Sequence, residues 1–360
     1  MKASEQKSAL IAMSGGVDSS VAAFLTRRAG YTCVGVTMKL YNNEDVGLSR
    51  AHTCCSLDDV LDARSVAGKL GMPYYVLNFT DGFKEQVIDR FVAAYLDGRT
   101  PNPCIDCNRF MKFDRLFIKA KELGLYYVVT GHYARITRDG SGRYLLHKAK
   151  DLSKDQSYVL YAMTQEQLAH TLFPLGELCK PEVREIAHAQ GFDNADKHDS
   201  QDICFVPSGN YADFIEQYTG QKSQPGDYID REGHVLGRHK GIIHYTIGQR
   251  KGLGMPFPQP MFVCGIDPAA NTVTLGPQEQ LFTRELTVSG VNLIAADRLD
   301  GTHRLKAKIR YRQPEQWASV VQVGDDCLHV TFDEPQRAVT RGQAIVLYDG
   351  DLVIGGGTIQ

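Results

Sequence analysis

The first 130 residues alternate between short apolar runs and longer amphipathic ones. SALIAM (8–13) is strand-length and almost wholly apolar, the pattern of a strand covered on both faces. Behind it VAAFLTRRAG reads as a helix closed by Gly30, and YTCVGVTMKL as a second buried strand. DDVLDARSVAGKL (58–70) predicts a second helix, with Asp58 or Asp59 near its start and Gly71 after its end. PYYVLNF (73–79), a helix from about Phe83 to Leu96, a proline loop, a helix from Asn108 to Leu123, and LYYVVTGHYA continue the series. This alternation predicts an α/β fold built on a Rossmann-like parallel sheet.

After about residue 205 the texture changes to short alternating runs broken by turn signals such as DREG (230–233), DPAAN (267–271) and YDGD (348–351). Three units are expected: an α/β catalytic domain over 1–210, a small linking β-rich module over 211–278, and a C-terminal β-barrel over 279–360.

Composition narrows the function classes. With 43% hydrophobic and 23% charged residues the chain reads as an ordinary soluble protein. No apolar run approaches a membrane span, and MKASEQKS leads only into a strand-length apolar segment, so a cytoplasmic location without a membrane partner is expected. Nine irregularly spaced cysteines argue for thiol chemistry over a disulfide framework. The net charge of -2 gives no global sign of nucleic-acid binding, although a local basic patch would be hidden in that sum.

The densest chemistry follows the first strand. In SGGVDSS (14–20) the glycines allow close approach to a phosphate, the serines add donors, the helix start supplies N–H groups, and Asp18 could hold Mg²⁺. The Gly-Lys-Ser/Thr of a Walker A loop is missing. The motif resembles that of the PP-loop ATP pyrophosphatases, which release pyrophosphate while placing AMP on a carbonyl or carboxyl oxygen.

The resemblance sharpens with AMSGGVDSSVAA, TPNPCIDCN, VTGHYAR, KDQSYVL, DSQDICF and YTIGQRKGLG in that order, extending to the closing GGGTIQ. Together these are similar to the bacterial tRNA-specific 2-thiouridylases, which replace the C2 oxygen of the wobble uridine with sulfur. The resemblance implies ATP bound at Ala12, Met13, Ser14, Gly15, Gly16, Val17, Asp18, Ser19, Met38 and Gly131. It implies a persulfide on Cys204 and a partner nucleophile at Cys107, 97 positions earlier. It also implies tRNA contacts at Asn102, Pro103, Cys104, His132, Lys154, Asp155, Gln156, Arg310, Tyr311 and Gln343, with the lysine, glutamate and glutamine tRNAs as substrates. A cysteine desulfurase or a sulfur relay protein would load the persulfide.

One position departs from well-known members of the family, in which an aspartate stands in place of Cys104. The extra thiol leaves three readings of Cys104, Cys107 and Cys204 open: a persulfide pair, an iron–sulfur cluster with one open iron, or inert cysteines. His52, Cys54 and Cys55 form a nearby decoy, and Cys33, Cys179, Cys264 and Cys327 read as packing or surface residues. His132 could be a general base or a structural histidine.

Two basic stripes stand out. Residues 234–254 carry Arg238, Lys240, Arg250 and Lys251 without a carboxylate. In HRLKAKIRYR (303–312), Lys306, Lys308, Arg310 and Arg312 alternate with Leu305, Ala307 and Ile309, which on a strand makes a phosphate-facing row. Against the enzyme reading stands a non-catalytic tRNA-binding or redox-sensing module that keeps a relict nucleotide fold.

Overall fold

A computed structural model describes residues 7–42, 57–198, 203–206 and 209–360. Four of the expected strands, β1 (Ser8–Ala12), β2 (Thr32–Lys39), β3 (Tyr74–Asn78) and β4 (Tyr127–Val129), form a parallel sheet in the order β3-β2-β1-β4. Helix α1 (Val17–Arg28) follows β1, and α2 (Leu57–Lys69) precedes β3. The strand order reverses between β1 and β4, and ligands of open α/β sheets bind beside the carboxyl ends at such a reversal.

Both sheet faces are covered, which explains why β1 is apolar throughout. Ala9 and Ile11 face the cluster that includes Val21, Ala22 and Ala23 of α1. Leu10 and Val36 face Leu116, Phe117 and Ala120. A two-residue fifth strand, which the sequence did not signal, completes the sheet beside β4 (Thr171–Leu172).

On the second face two long helices are wound unevenly. Helix α3 (Thr80–Phe83) runs through a wide-turn π stretch, Lys84–Ile88, into α4 (Asp89–Leu96). Helix α5 (Pro103–Asp106) runs through a second π stretch, Cys107–Arg115, into α6 (Leu116–Glu122). The second helix therefore starts five residues before the expected Asn108, because Asn102 accepts the Cys104 N–H at 3.1 Å and Pro103 takes the first helical position.

Between β4 and the fifth strand the chain makes an unforeseen hairpin, Ala134–Arg138 with Tyr144–Lys148, which joins the C-terminal sheet through His147 opposite Leu352. The middle module holds a four-stranded sheet whose DREG and DPAAN turns link antiparallel pairs as expected. The C-terminal unit is a closed antiparallel barrel of six strands: Phe282–Leu293, Thr302–Lys308, Gln316–Gln322, Cys327–Arg337, Ala344–Asp349 and Leu352–Ile359. It grips the proline loop: the Thr100 N–H donates to the Arg341 carbonyl at 2.9 Å, and Gln343 Nε2 donates to the Thr100 carbonyl at 2.8 Å.

Candidate active site

The Ser14–Ser20 turn crosses from β1 into α1 at the sheet's carboxyl edge. Gly15 adopts φ +78°, and a Cβ there would fall 2.4 Å from the Asp59 carbonyl oxygen, so only glycine fits. Ser19 Oγ donates to the Gly16 carbonyl at 2.9 Å and accepts the Ser14 N–H at 3.2 Å, and Ser20 Oγ donates to the same carbonyl at 3.1 Å. The buried hydroxyls of Ser19 and Ser20 thus brace the loop. Gly16 caps α1 without a side-chain bond, which leaves the helix start to an anion.

The loop after β4 lies directly against this turn. A Cβ on Gly131 would sit 2.8 Å from the Asp18 carbonyl carbon and the Ser19 nitrogen. Ala12 and Met38 pack in one cluster on the α6 face of the same sheet. The residues expected around ATP therefore lie on three neighbouring strand ends.

Asp18 is engaged differently from the sequence expectation. Its Oδ1 accepts from the Lys180 ammonium and from the Tyr133 hydroxyl, both at 2.7 Å, and the Lys180 side chain is only 9% exposed. A buried cation already neutralises the carboxylate offered to Mg²⁺. Among the described residues no group of three or more His, Cys, Asp or Glu side chains is placed to hold a metal ion. Among the described residues the donors around Asp18 do not form an all-protein magnesium site.

The two thiols of interest come together on one aromatic cluster. Cys107 opens the second π stretch, and Cys204 precedes the buried Phe205 and Val206. Both pack against the group containing Tyr41, Phe83, Val87, Phe91, Phe205 and Phe214. Phe205 meets Phe83 and Phe91 edge to face, with centroids 5.8 and 5.3 Å apart. The Tyr41 hydroxyl donates to the Cys204 carbonyl at 2.7 Å. Burial pushes the Cys107 thiol up to about 11; the Lys112 charge opposes this, while Cys104 and Asp106 add to it. At neutral pH the resting Cys107 is a thiol.

Cys104 is exposed on the first turn of α5 and is not a member of that cluster. Among the described residues no set of three cysteines is placed to hold a metal ion, so nothing in this arrangement supports the iron–sulfur alternative. The suggested decoy of His52, Cys54 and Cys55 lies outside the described residues. Cys33 is buried and its thiol is pushed up to about 11 by that burial, in keeping with a packing role.

His132 is buried, with Nδ1 2.7 Å from Thr130 Oγ1 and Nε2 3.5 Å from Lys112 Nζ. Burial first, and the Lys112 charge second, hold it well below its usual range, so it stays neutral. An ammonium can only donate, so Nε2 accepts and Nδ1 carries the proton toward Thr130.

Comparison with known proteins matches this architecture from end to end. Residues 7–208 match the "tRNA methyl transferase HUP domain" family, 212–277 the "tRNA methyl transferase PRC-barrel domain", and 283–359 the "aminomethyltransferase beta-barrel domain". The chain is 52% identical over 355 residues to the tRNA-specific 2-thiouridylase MnmA of Clostridioides difficile (strain 630), covering 98% of each chain. It is 49% identical over 355 residues to the protein of that name from Clostridium perfringens (strain 13 / Type A), covering 99% of each. The chain belongs to the tRNA-specific 2-thiouridylase family. Among solved structures it is similar to a 4-thiouridine synthetase–RNA complex with bound ATP, at 19% identity and a TM-score of 0.35, over 59% of this chain and 50% of that one.

Of the residues outside the proline loop that the 2-thiouridylase resemblance assigns to tRNA, Gln343 and Tyr311 lie beside that loop and the others have partners elsewhere. Tyr311 donates to the Asp155 carbonyl at 3.1 Å, and its phenol is raised by burial first, then by Asp155 and Cys104. Gln343 reaches Thr100, two residues before Asn102. Asp155 and Gln156 serve the local turn, Asp155 accepting the Ala149 and Ser157 N–H groups and Gln156 Oε1 the Tyr133 N–H. Lys154 begins this segment, its N–H donating to the Asp151 carbonyl at 3.1 Å.

The basic row of the barrel has the expected alternation, with Leu305, Ala307 and Ile309 buried. Three of its four members have partners within the protein. Arg310 turns back to the Ala338 carbonyl at 2.6 Å and Thr340 Oγ1 at 3.0 Å, Lys306 lies over Trp317, and Lys308 lies over Tyr158 and Tyr311. In the middle module Arg238 pairs with Asp227 at 3.1 Å.

Lys180, Tyr133 and Lys112 escaped the sequence reading. Lys180 opens a Pro-started helix (Lys180–Ala189), and nothing local marks its side chain as the partner of a carboxylate 162 positions away.

Two outcomes check this geometry. Gly131→Ala should force the two loops apart and cost about 1–3 kcal/mol, read as a lowered thermal midpoint; an unchanged midpoint would mean that the loops do not touch. Lys180→Met and Asp18→Asn should each destabilise the fold, while the double variant loses less than the sum by about 1 kcal/mol or more. Strict additivity would rule out the buried pair.

Proposed function

We propose that this chain converts the C2 carbonyl of the wobble uridine of tRNA to a thiocarbonyl, using ATP and a persulfide. The observation that carries the reading is the placement of Cys107 and Cys204 on one aromatic cluster, in a domain whose sheet edge bears a phosphate loop. The 2-thiouridylases it matches over nearly its full length support the substrate.

In this mechanism the first step turns a poor electrophile into a reactive one. The uridine O2 attacks the α-phosphate of ATP, a P–O bond forms, and pyrophosphate departs toward the α1 N-terminus, where unpaired N–H groups favour an anion. Lys180 removes the repulsion that an unpaired Asp18 carboxylate would exert on the phosphates. Magnesium, brought in with the triphosphate, would lower its charge.

Sulfur then arrives from a donor protein as the outer atom of a persulfide on Cys204. The Cys107 thiolate attacks Cys204 Sγ, a disulfide forms, and hydrosulfide leaves carrying the two electrons that the cysteines have given up. Hydrosulfide adds to C2 and AMP departs. An external thiol reductant returns the disulfide to two thiols.

Residues 1–210 would carry this chemistry, 211–278 would link, and 279–360 would hold the anticodon arm, with Asn102, Pro103 and Cys104 beside the target base and His132, Lys154, Asp155, Gln156, Arg310, Tyr311 and Gln343 around it. Because His132 is buried, its part is to order the pocket wall. The lysine, glutamate and glutamine tRNAs are the expected substrates, and no described helix is long and apolar enough to cross a membrane.

Nucleoside analysis of tRNA from cells carrying Cys107→Ser or Cys204→Ser as their only copy should show loss of 2-thiouridine, with normal levels in Cys104→Ser cells. Normal thiolation in either of the first two would end the persulfide mechanism. Lys306→Glu with Lys308→Glu should weaken tRNA binding and reduce the slope of log affinity against log salt by about 1–2; an unchanged slope would remove this strand from the RNA contact.

A further inference from the structure

Lys112 is partly buried, and among the described residues it forms no ion pair with a carboxylate. Among the described residues its polar partner is the neutral ring of His132, at 3.5 Å. A lysine in that setting is unusual, because a charge taken part-way out of water normally finds an opposite charge. The winding of its helix shows what it faces instead.

On a regular α-helix Lys112 would stand about 140° around the axis from Cys107. Both residues lie in the π stretch Cys107–Arg115, where backbone bonds span five residues, as in Leu116 N–H to the Met111 carbonyl. That wider winding carries residue i+5 back toward the face of residue i and so brings Lys112 toward the Cys107 side of the helix. Lys112 is the first opposing charge felt by the buried thiol.

We propose that Lys112 is a positioning residue for sulfur transfer: the π winding turns its ammonium onto the Cys107 face, where it holds the attacking thiolate. This rests on Cys107 being the nucleophile of the proposed function. Neutral His132 suits the task better than a carboxylate would, because it fixes the ammonium in place through Nε2 without cancelling the charge. Thr130, at 2.7 Å from Nδ1, locks the ring in the required tautomer. Among the described residues the other charges acting on Cys107 are those of Cys104 and Asp106, both of which oppose ionisation. Asp106 is drawn away by Arg90, 3.6 Å off, and is also under the field of Arg109. Lys112 therefore supplies the field that favours the thiolate.

The test is the rate at which iodoacetamide modifies Cys107 in the full-length protein between pH 7 and 10, read by peptide mass analysis, with exposed Cys104 as internal reference. Lys112→Met should slow Cys107 about tenfold at pH 8 and displace its profile upward by about one unit, while Lys112→Arg stays within about threefold of wild type. Cys104 should change little in either variant. An unshifted Cys107 profile in Lys112→Met would overturn the proposal, as would equal losses in the Met and Arg variants or a matching change at Cys104, each of which signifies packing alone. The assay uses neither tRNA nor ATP, so its outcome is separable from that of the nucleoside analysis.

Discussion

Edge-to-face packing of Phe205 against Phe83 and Phe91 is the contact on which the rest depends. It anchors the segment carrying Cys204 to the helix Thr80–Leu96, whose buried rings belong to the cluster that Cys107, 97 positions earlier, also packs against. Aromatic rings suit this task because edge-to-face pairs add a directional preference to the area they bury. The cluster also takes in Phe214 from the helix Tyr211–Thr219, so the start of the middle module helps fix the thiol-bearing segment. Tyr41, hydrogen-bonded to the Cys204 carbonyl, ties the same segment to the chain just beyond β2.

A second constraint is electrostatic. An anion-binding helix start with a carboxylate in its first turn would work against itself, and Lys180 and Tyr133 resolve the conflict by taking both bonds to Asp18 Oδ1. The thiol side shows the converse arrangement. Cys107 is kept protonated by burial, and the cation that favours its ionisation is held by a neutral imidazole. A resting thiol resists stray oxidation better than a thiolate, and substrate and persulfide supply the conditions for its use.

Much of this was legible in the residues, and the remainder has identifiable physical reasons. The parallel sheet could be read because β1 and β2 are apolar on both faces and glycines close α1 and α2. The hairpin turns could be read because Asn271 and Gly350 supply the positive φ their turns need, at 52° and 61°. The hairpin over 134–148 was missed because its strands are half-polar and the sheet they join belongs to the distant barrel. The π stretch was missed because its composition is that of any amphipathic helix. Periodicity places a side chain on a face of its own element and is silent about what meets that face, so Lys180 stayed hidden while the serines beside Asp18 were obvious. The barrel's alternation was legible, yet the tie of Arg310 to its own backbone was not, because a basic residue reads the same whether it faces solvent or a carbonyl.

The central claim is that Cys107 and Cys204 act as one redox pair. It is tested most directly by peptide mass mapping after a single turnover with undermodified tRNA, ATP and a persulfide donor, quenched with an alkylating agent before any reductant is added. The account predicts a peptide joined through Cys107 and Cys204 in proportion to the 2-thiouridine formed. Thiolated tRNA accompanied by separately alkylated Cys107 and Cys204, or by a bridge through Cys104, would contradict it.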